Sequence, residues 1–125
     1  MIMDAGAPVA AARPLTFPRA RRLRSAADFK RVYANGRRMG NEFFTVNTQP
    51  NELSLARLGM SVAVRTMGNA VERNRLRRMI RESFRLHQAS VPPLDIVIGA
   101  RSAARSAPTA QLRSSLERLW QKLQL

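Results

Sequence analysis

The stretch ERNRLRRMIRESFR, Glu72 to Arg85, sets six arginines into fourteen residues beside only two carboxylates. At about 100° per residue, Leu76, Met79, Ile80 and Phe84 form one apolar stripe, which His87 extends. Asn74, Arg75, Arg77, Arg78, Arg81 and Arg85 fall on the opposite side, and Arg73 lies nearer the edge of the stripe. A helix of this kind must bury the stripe in a core and leave the arginine arc outside. Arg73, Arg77, Arg81 and Arg85 follow one another at i, i+4, where each like-charge pair costs an isolated helix roughly 0.2–0.5 kcal/mol. A purely structural helix would place Glu at some of these positions. The conflict between local stability and sequence choice favours a phosphate-binding face over a merely solvated one. Asn69, three residues before Glu72, predicts the N-cap, and Glu72 suits the positive end of the helix.

The rest of the chain agrees with a polyanion as partner. Its 22 basic residues oppose 8 acidic ones, a formal net charge of +14. Twenty of those cations are arginine, whose planar fork can grip phosphate bidentately and stack on bases. With 125 residues, 45% of them hydrophobic, the chain supports one domain with one modest core. It contains no cysteine, which removes disulfides and thiolate metal sites and fits a reducing cytoplasm. No apolar run approaches the roughly 18 residues of a membrane span. Pro8, Pro14 and Pro18 interrupt the opening segment, and Asp4 stands where a signal peptide needs positive charge. Residues 1–20 are therefore read as a mobile arm and residues 21–125 as the folded domain.

Around the arginine helix the pattern gives helix, strand, strand, helix, strand, helix. Ser25 and Gly36 bracket SAADFKRVYANG, with Phe29, Val32 and Tyr33 on one face. NEFFTVNTQ and LSLARLGMSVAV favour strands, the second directing Leu58, Met60, Val62 and Val64 to one side. LDIVIGAR reads as a buried strand. After Pro108, Leu112, Leu116, Leu119, Trp120 and Leu123 recur at helical spacing. This is an α+β layout with helices packed on one sheet.

The segment RLGMSVAVRTMGNAVERNRLRRMIRESFR resembles the signature region of the bacterial ribonuclease P protein subunit. Gly-Asn-Ala-Val followed by Arg-Asn-Arg is a specific signal. LRSAADFKRVYANGRR is similar to that family's first helix, LDIVIGAR to its last strand and LRSSLERLWQKL to its final helix. The resemblance runs from about Leu23 to Leu123.

It implies a sandwich of a mixed sheet and helices, like a domain of ribosomal proteins, with a left-handed strand–helix–strand crossover through the arginine helix. It also implies a small basic subunit that joins a catalytic RNA in the cytoplasm and assists endonucleolytic removal of the 5′ leader from precursor tRNA. The RNA carries the chemistry, and Mg²⁺ in the holoenzyme is held mainly by RNA. Carried onto this chain, the RNA-facing positions are Arg73, Asn74 and Arg75, continued by Arg77, Arg78 and Arg81. The leader would lie between the sheet and the first helix, against Phe29 and Tyr33, although the spacing of those two alone favours core packing. The chain departs from the family pattern at Arg65, which is followed by Thr66 rather than a second basic residue. It departs again at Asn47, where the family tends to have an aromatic; Phe43, an even number of residues earlier, is expected to share the face of Asn47 and compensate.

Other functions fit less well. A helix-turn-helix DNA binder needs a helix packed directly before its recognition helix, whereas a strand is predicted there. A nuclease acting without RNA needs an acid cluster, and the eight acids, Asp4, Asp28, Glu42, Glu52, Glu72, Glu82, Asp95 and Glu117, are scattered in sequence. Gly-rich phosphate loops are absent as well. His87, the only histidine, is read as a satisfied, half-buried residue.

Overall fold

The computed structural model describes residues 21–23, 25–53, 55–63 and 67–124. Helix α1, Ala26–Asn35, starts where the Ser25 hydroxyl accepts the Asp28 N–H at 3.0 Å. It stops at Gly36, whose N–H donates to the Val32 carbonyl at 2.8 Å. Four strands follow: β1, Arg37–Gly40; β2, Phe44–Pro50; β3, Arg57–Ser61; and, after helix α2, Ala70–His87, strand β4, Leu94–Ala100. Helix α3, Thr109–Leu123, closes the described chain.

The sheet runs β1-β2-β4-β3. Only β3 and β4 are parallel, with Leu58 opposite Ile96 and Met60 opposite Ile98, so α2 is the crossover between them. The expected strand pattern locates three strands, the second only over Arg57–Ser61 with Val64 outside the described residues, and misses β1. An Arg-Arg-Met-Gly segment has no alternating apolar face to announce it. Its ladder to β2 holds it at the sheet edge, where charged side chains also deter pairing with other chains.

Strand alternation divides the core in two. Phe44, Val46, Leu58, Ile96 and Ile98 point to one face, where Leu76, Ile80 and Phe84 of α2 and Leu112, Leu116 and Trp120 of α3 cover them. Val97 points to the other face and packs with Leu23, Phe29 and Val32 beneath α1. The helices thus lie on both faces of the sheet. On the larger side, Trp120 is fully buried, donates its Nε1–H to the Ser83 hydroxyl at 2.7 Å and meets Phe84 edge-on.

Candidate nucleic-acid interface

Asn69 caps α2 as its spacing predicts, the side-chain oxygen accepting the Glu72 N–H at 2.8 Å. With Leu76, Met79, Ile80 and Phe84 buried, the intervening arginines are forced outward, and Asn74 and Arg78 are exposed. The arc is not uniform. Arg75 turns toward α3, where Nη2 contacts Glu72 Oε1 at 2.7 Å and the Ala107 carbonyl at 3.2 Å. Its Nη1 reaches the Thr109 hydroxyl at 3.3 Å. Glu72 also accepts the N–H of Ser106, whose φ of 62° places it in the left-handed region. Arg75 first, and then the Ser106 N–H, hold the Glu72 carboxyl below the usual carboxylate range. Arg75 is therefore a tie between α2 and the turn before α3. Arg85 is similarly held by Glu82 at 2.6 Å.

Arg73 is half-buried, with its Nε enclosed and lacking a hydrogen-bond partner among the described residues. Arg77, Arg78 and Arg81 form no ion pair there. These three, with Asn74, are the part of the arc most available to phosphate.

Arg77 and Arg81 lean around the β3 edge. Together with Arg22, Phe29, Gly59 and Met60 they line an open cleft of about 440 Å³. The Leu23 N–H donates to the Leu58 carbonyl at 2.8 Å, laying the chain before α1 along β3, and α1 then crosses the sheet with Phe29 over Gly59. Tyr33, one turn beyond Phe29, is 50% exposed. Asn47 lies on the same sheet face, opposite Val97 on one side and Arg38 on the other, and is mostly buried.

Phe43 does not join them. It precedes β2, is buried in the larger core and lines a shallow pocket with Ala110 and Ser114 of α3. Counting back from Asn47 fails because the Asn41 side chain accepts the N–H groups of both Phe43 and Phe44, at 3.0 Å each, and turns the chain before the ladder begins. Arg65 lies outside the described residues.

Sequence reading also missed the network behind the cleft. The Asp95 carboxylate, buried in β4, accepts from Arg57, Asn51 and Arg31. An acid inside the apolar run LDIVIGA was the available signal, since a buried charge needs partners. His87 fits its expected role, with Nδ1–H donating to the Ser83 carbonyl at 2.8 Å.

An α+β domain with a basic crossover helix, and a cleft where an aromatic ring meets several arginines, defines a small RNA-binding protein. The family model described as Ribonuclease P matches residues 17–124. The ribonuclease P protein component of Methylococcus capsulatus is 40% identical over 83% of this chain and 81% of its own length. That of Thioalkalivibrio sulfidiphilus is 36% identical over 86% of this chain and 89% of its own length. Among solved structures, the RNase P protein of Staphylococcus aureus superposes with a TM-score of 0.78 at 39% identity, covering 83% of this chain and 95% of that one. The chain belongs to the ribonuclease P protein family, the protein component that works with an RNA subunit in tRNA 5′ processing. Among the described residues, no helix is long and apolar enough to cross a membrane.

Proposed function

We propose that this chain binds the catalytic RNA of ribonuclease P through the outer face of α2 and holds the 5′ leader of precursor tRNA in the cleft between α1 and the sheet. The observation that carries this reading is the meeting of Phe29 with Arg77 and Arg81 in one open cleft. A ring can stack on an unpaired base of any identity, while the guanidinium groups take the phosphates on either side of it. Asn74 and Arg78, further round the helix, present the surface for the catalytic RNA. A cytoplasmic location follows from these partners.

Bond cleavage belongs to the RNA in this reading. The acids nearest the cleft and α2 are held by arginines: Asp28 by Arg31, Glu72 by Arg75, Glu82 by Arg85 and Asp95 by Arg57. Among the described residues, no three His, Asp or Glu side chains come together as a metal-holding group. The donor set does not suit a protein-held Mg²⁺, so the metal ions of the holoenzyme are assigned to RNA ligands. The protein contributes positive charge against crowded phosphates, lessening repulsion that divalent ions must otherwise screen.

The test is leader removal measured against Mg²⁺ concentration for RNA alone, protein alone and the reconstituted complex. The complex should cleave at lower Mg²⁺ than bare RNA, and protein alone should not cleave at the junction. An unchanged Mg²⁺ requirement would sink the electrostatic role; correct cleavage by RNA-free protein would sink the subunit reading.

A further inference from the structure

We infer that Gly59 is a positioning residue for the leader, acting by seating the ring of Phe29 against the backbone of β3. This rests on the reading that the leader passes over Phe29. Gly59 is buried in the middle of β3, and Phe29 lies directly over it. A methyl group at position 59 would overlap Cε1 of Phe29, come within 2.7 Å of its Cζ and lie 3.0 Å from the Leu23 carbonyl. The first two contacts are closer than carbon atoms can approach, so the ring would have to leave its seat. Nothing about the strand demands glycine for its own sake: no positive φ occurs there, and glycine weakens a strand relative to a residue with a side chain. The close approach of the ring is what the missing side chain permits.

The consequence for binding is pre-organisation. Phe29 is half-buried, with its inner surface on Gly59 and beside Leu23 and Val97, and the rest of the ring borders the cleft shared with Arg77 and Arg81. A ring already fixed before the leader arrives loses little freedom when a base stacks on it. A ring displaced by a methyl group stands at a different height above the sheet and narrows the same cleft. Gly59 therefore sets both the depth of the cleft and the attitude of its aromatic wall.

The experiment compares affinities of the reconstituted holoenzyme for precursor tRNA and for mature tRNA, in wild type, Gly59→Ala, Phe29→Ala and the double variant. The ratio of the two affinities isolates the leader, and a general loss of stability does not move it. Gly59→Ala should lower the ratio about five-fold or more, the lower end of what one base–aromatic stack contributes. In the Phe29→Ala background the same substitution should add nothing. A ratio unchanged by Gly59→Ala but lowered by Phe29→Ala overturns the inference and leaves the leader reading intact. A ratio unchanged by Phe29→Ala overturns the leader reading and this inference with it. An equal further loss in the Phe29→Ala background also overturns the inference, because Gly59 would then act through something other than the ring. Should Gly59→Ala alone not fold, removing the ring in the double variant should restore folding, and failure to do so overturns the seating.

Discussion

Arg57 and Asp95 face each other across the parallel β3–β4 ladder and close a two-pronged contact, Nε to Oδ1 at 2.8 Å and Nη2 to Oδ2 at 2.7 Å. The Asp95 side chain is only 2% exposed, and Asn51 and Arg31 occupy its remaining lone pairs. Burial pushes its carboxyl up, but the hydrogen bonds from Arg57, Asn51 and Arg31 outweigh that and hold it below its ordinary value. A carboxyl depressed on folding contributes stability above its unfolded pKa, and that contribution is lost as pH falls through the folded value. Asp95→Asn should therefore cost about 1.5–3 kcal/mol at neutral pH, the range for hydrogen bonds to a charged group. Below about pH 4, where free carboxylates protonate, the variant should lose stability less steeply than wild type. Urea titrations from pH 7 to pH 3 check both parts; parallel acid limbs would mean that Asp95 is not depressed.

The division of the arginine arc predicts two kinds of variant. Arg78→Ala should leave melting unchanged, weaken binding to the catalytic RNA and flatten its log–log salt dependence by roughly 0.7–0.9 per lost phosphate contact, and Arg77→Ala should do the same for precursor tRNA through its leader. Arg75→Ala should instead lower stability by about 1 kcal/mol, since it unties Glu72, Ala107 and Thr109, and should change the salt slope less. Binding titrations across a salt series, paired with thermal melts, separate the cases. If Arg75→Ala gives the steepest loss of slope with no loss of melting temperature, the tie to α3 opens on binding and the division is wrong.

Local signals were legible and tertiary ones were not. Ser25 and Asn69 announce their helices because capping is settled within four residues. The stripe from Leu76 to Phe84 shows which side of α2 is buried because that side follows from helical geometry alone. What the sequence could not show is what each flank of the helix would meet. Arg75 and Arg77 fall on opposite flanks of the apolar stripe, but only the fold sets one against a turn that includes Ser106 and Ala107 and the other against a cleft with Phe29. Phe43 lies elsewhere than alternation predicts because β2 begins only at Phe44, and the Asn41 side chain holds the turn before it. Asp95 and Gly59 owe their roles to neighbours on other elements, so only the folded register reveals them.

Ser83 gives a stability prediction independent of RNA. It sits on the buried side of α2 and accepts the indole N–H of the fully buried Trp120. Ser83→Ala would leave that donor without a partner inside the core, at a cost of about 1–3 kcal/mol. Chemical denaturation should show the loss, while affinity for RNA of the folded variant stays within error of wild type. A variant as stable as wild type would mean that the indole finds another acceptor.

Tyr33 offers the cleanest probe of the leader cleft because it carries little of the core. Half of its surface is exposed, whereas Phe29, one turn earlier on α1, is packed against Leu23 and Val97. Removing the Tyr33 ring should therefore leave melting temperature within about a degree of wild type, as for surface substitutions generally. If the ring stacks on an unpaired base of the leader, Tyr33→Ala should weaken binding of precursor tRNA by about 1–3 kcal/mol and leave mature tRNA unaffected. The loss should be similar for leaders of different sequence, since every base has a face to stack. Tyr33→Phe, which keeps the ring and removes the hydroxyl, should restore most of the affinity. Equal losses for precursor and mature tRNA would place Tyr33 outside the leader path. Failure of Tyr33→Phe to restore binding would assign its contribution to a hydrogen bond from the hydroxyl rather than to stacking.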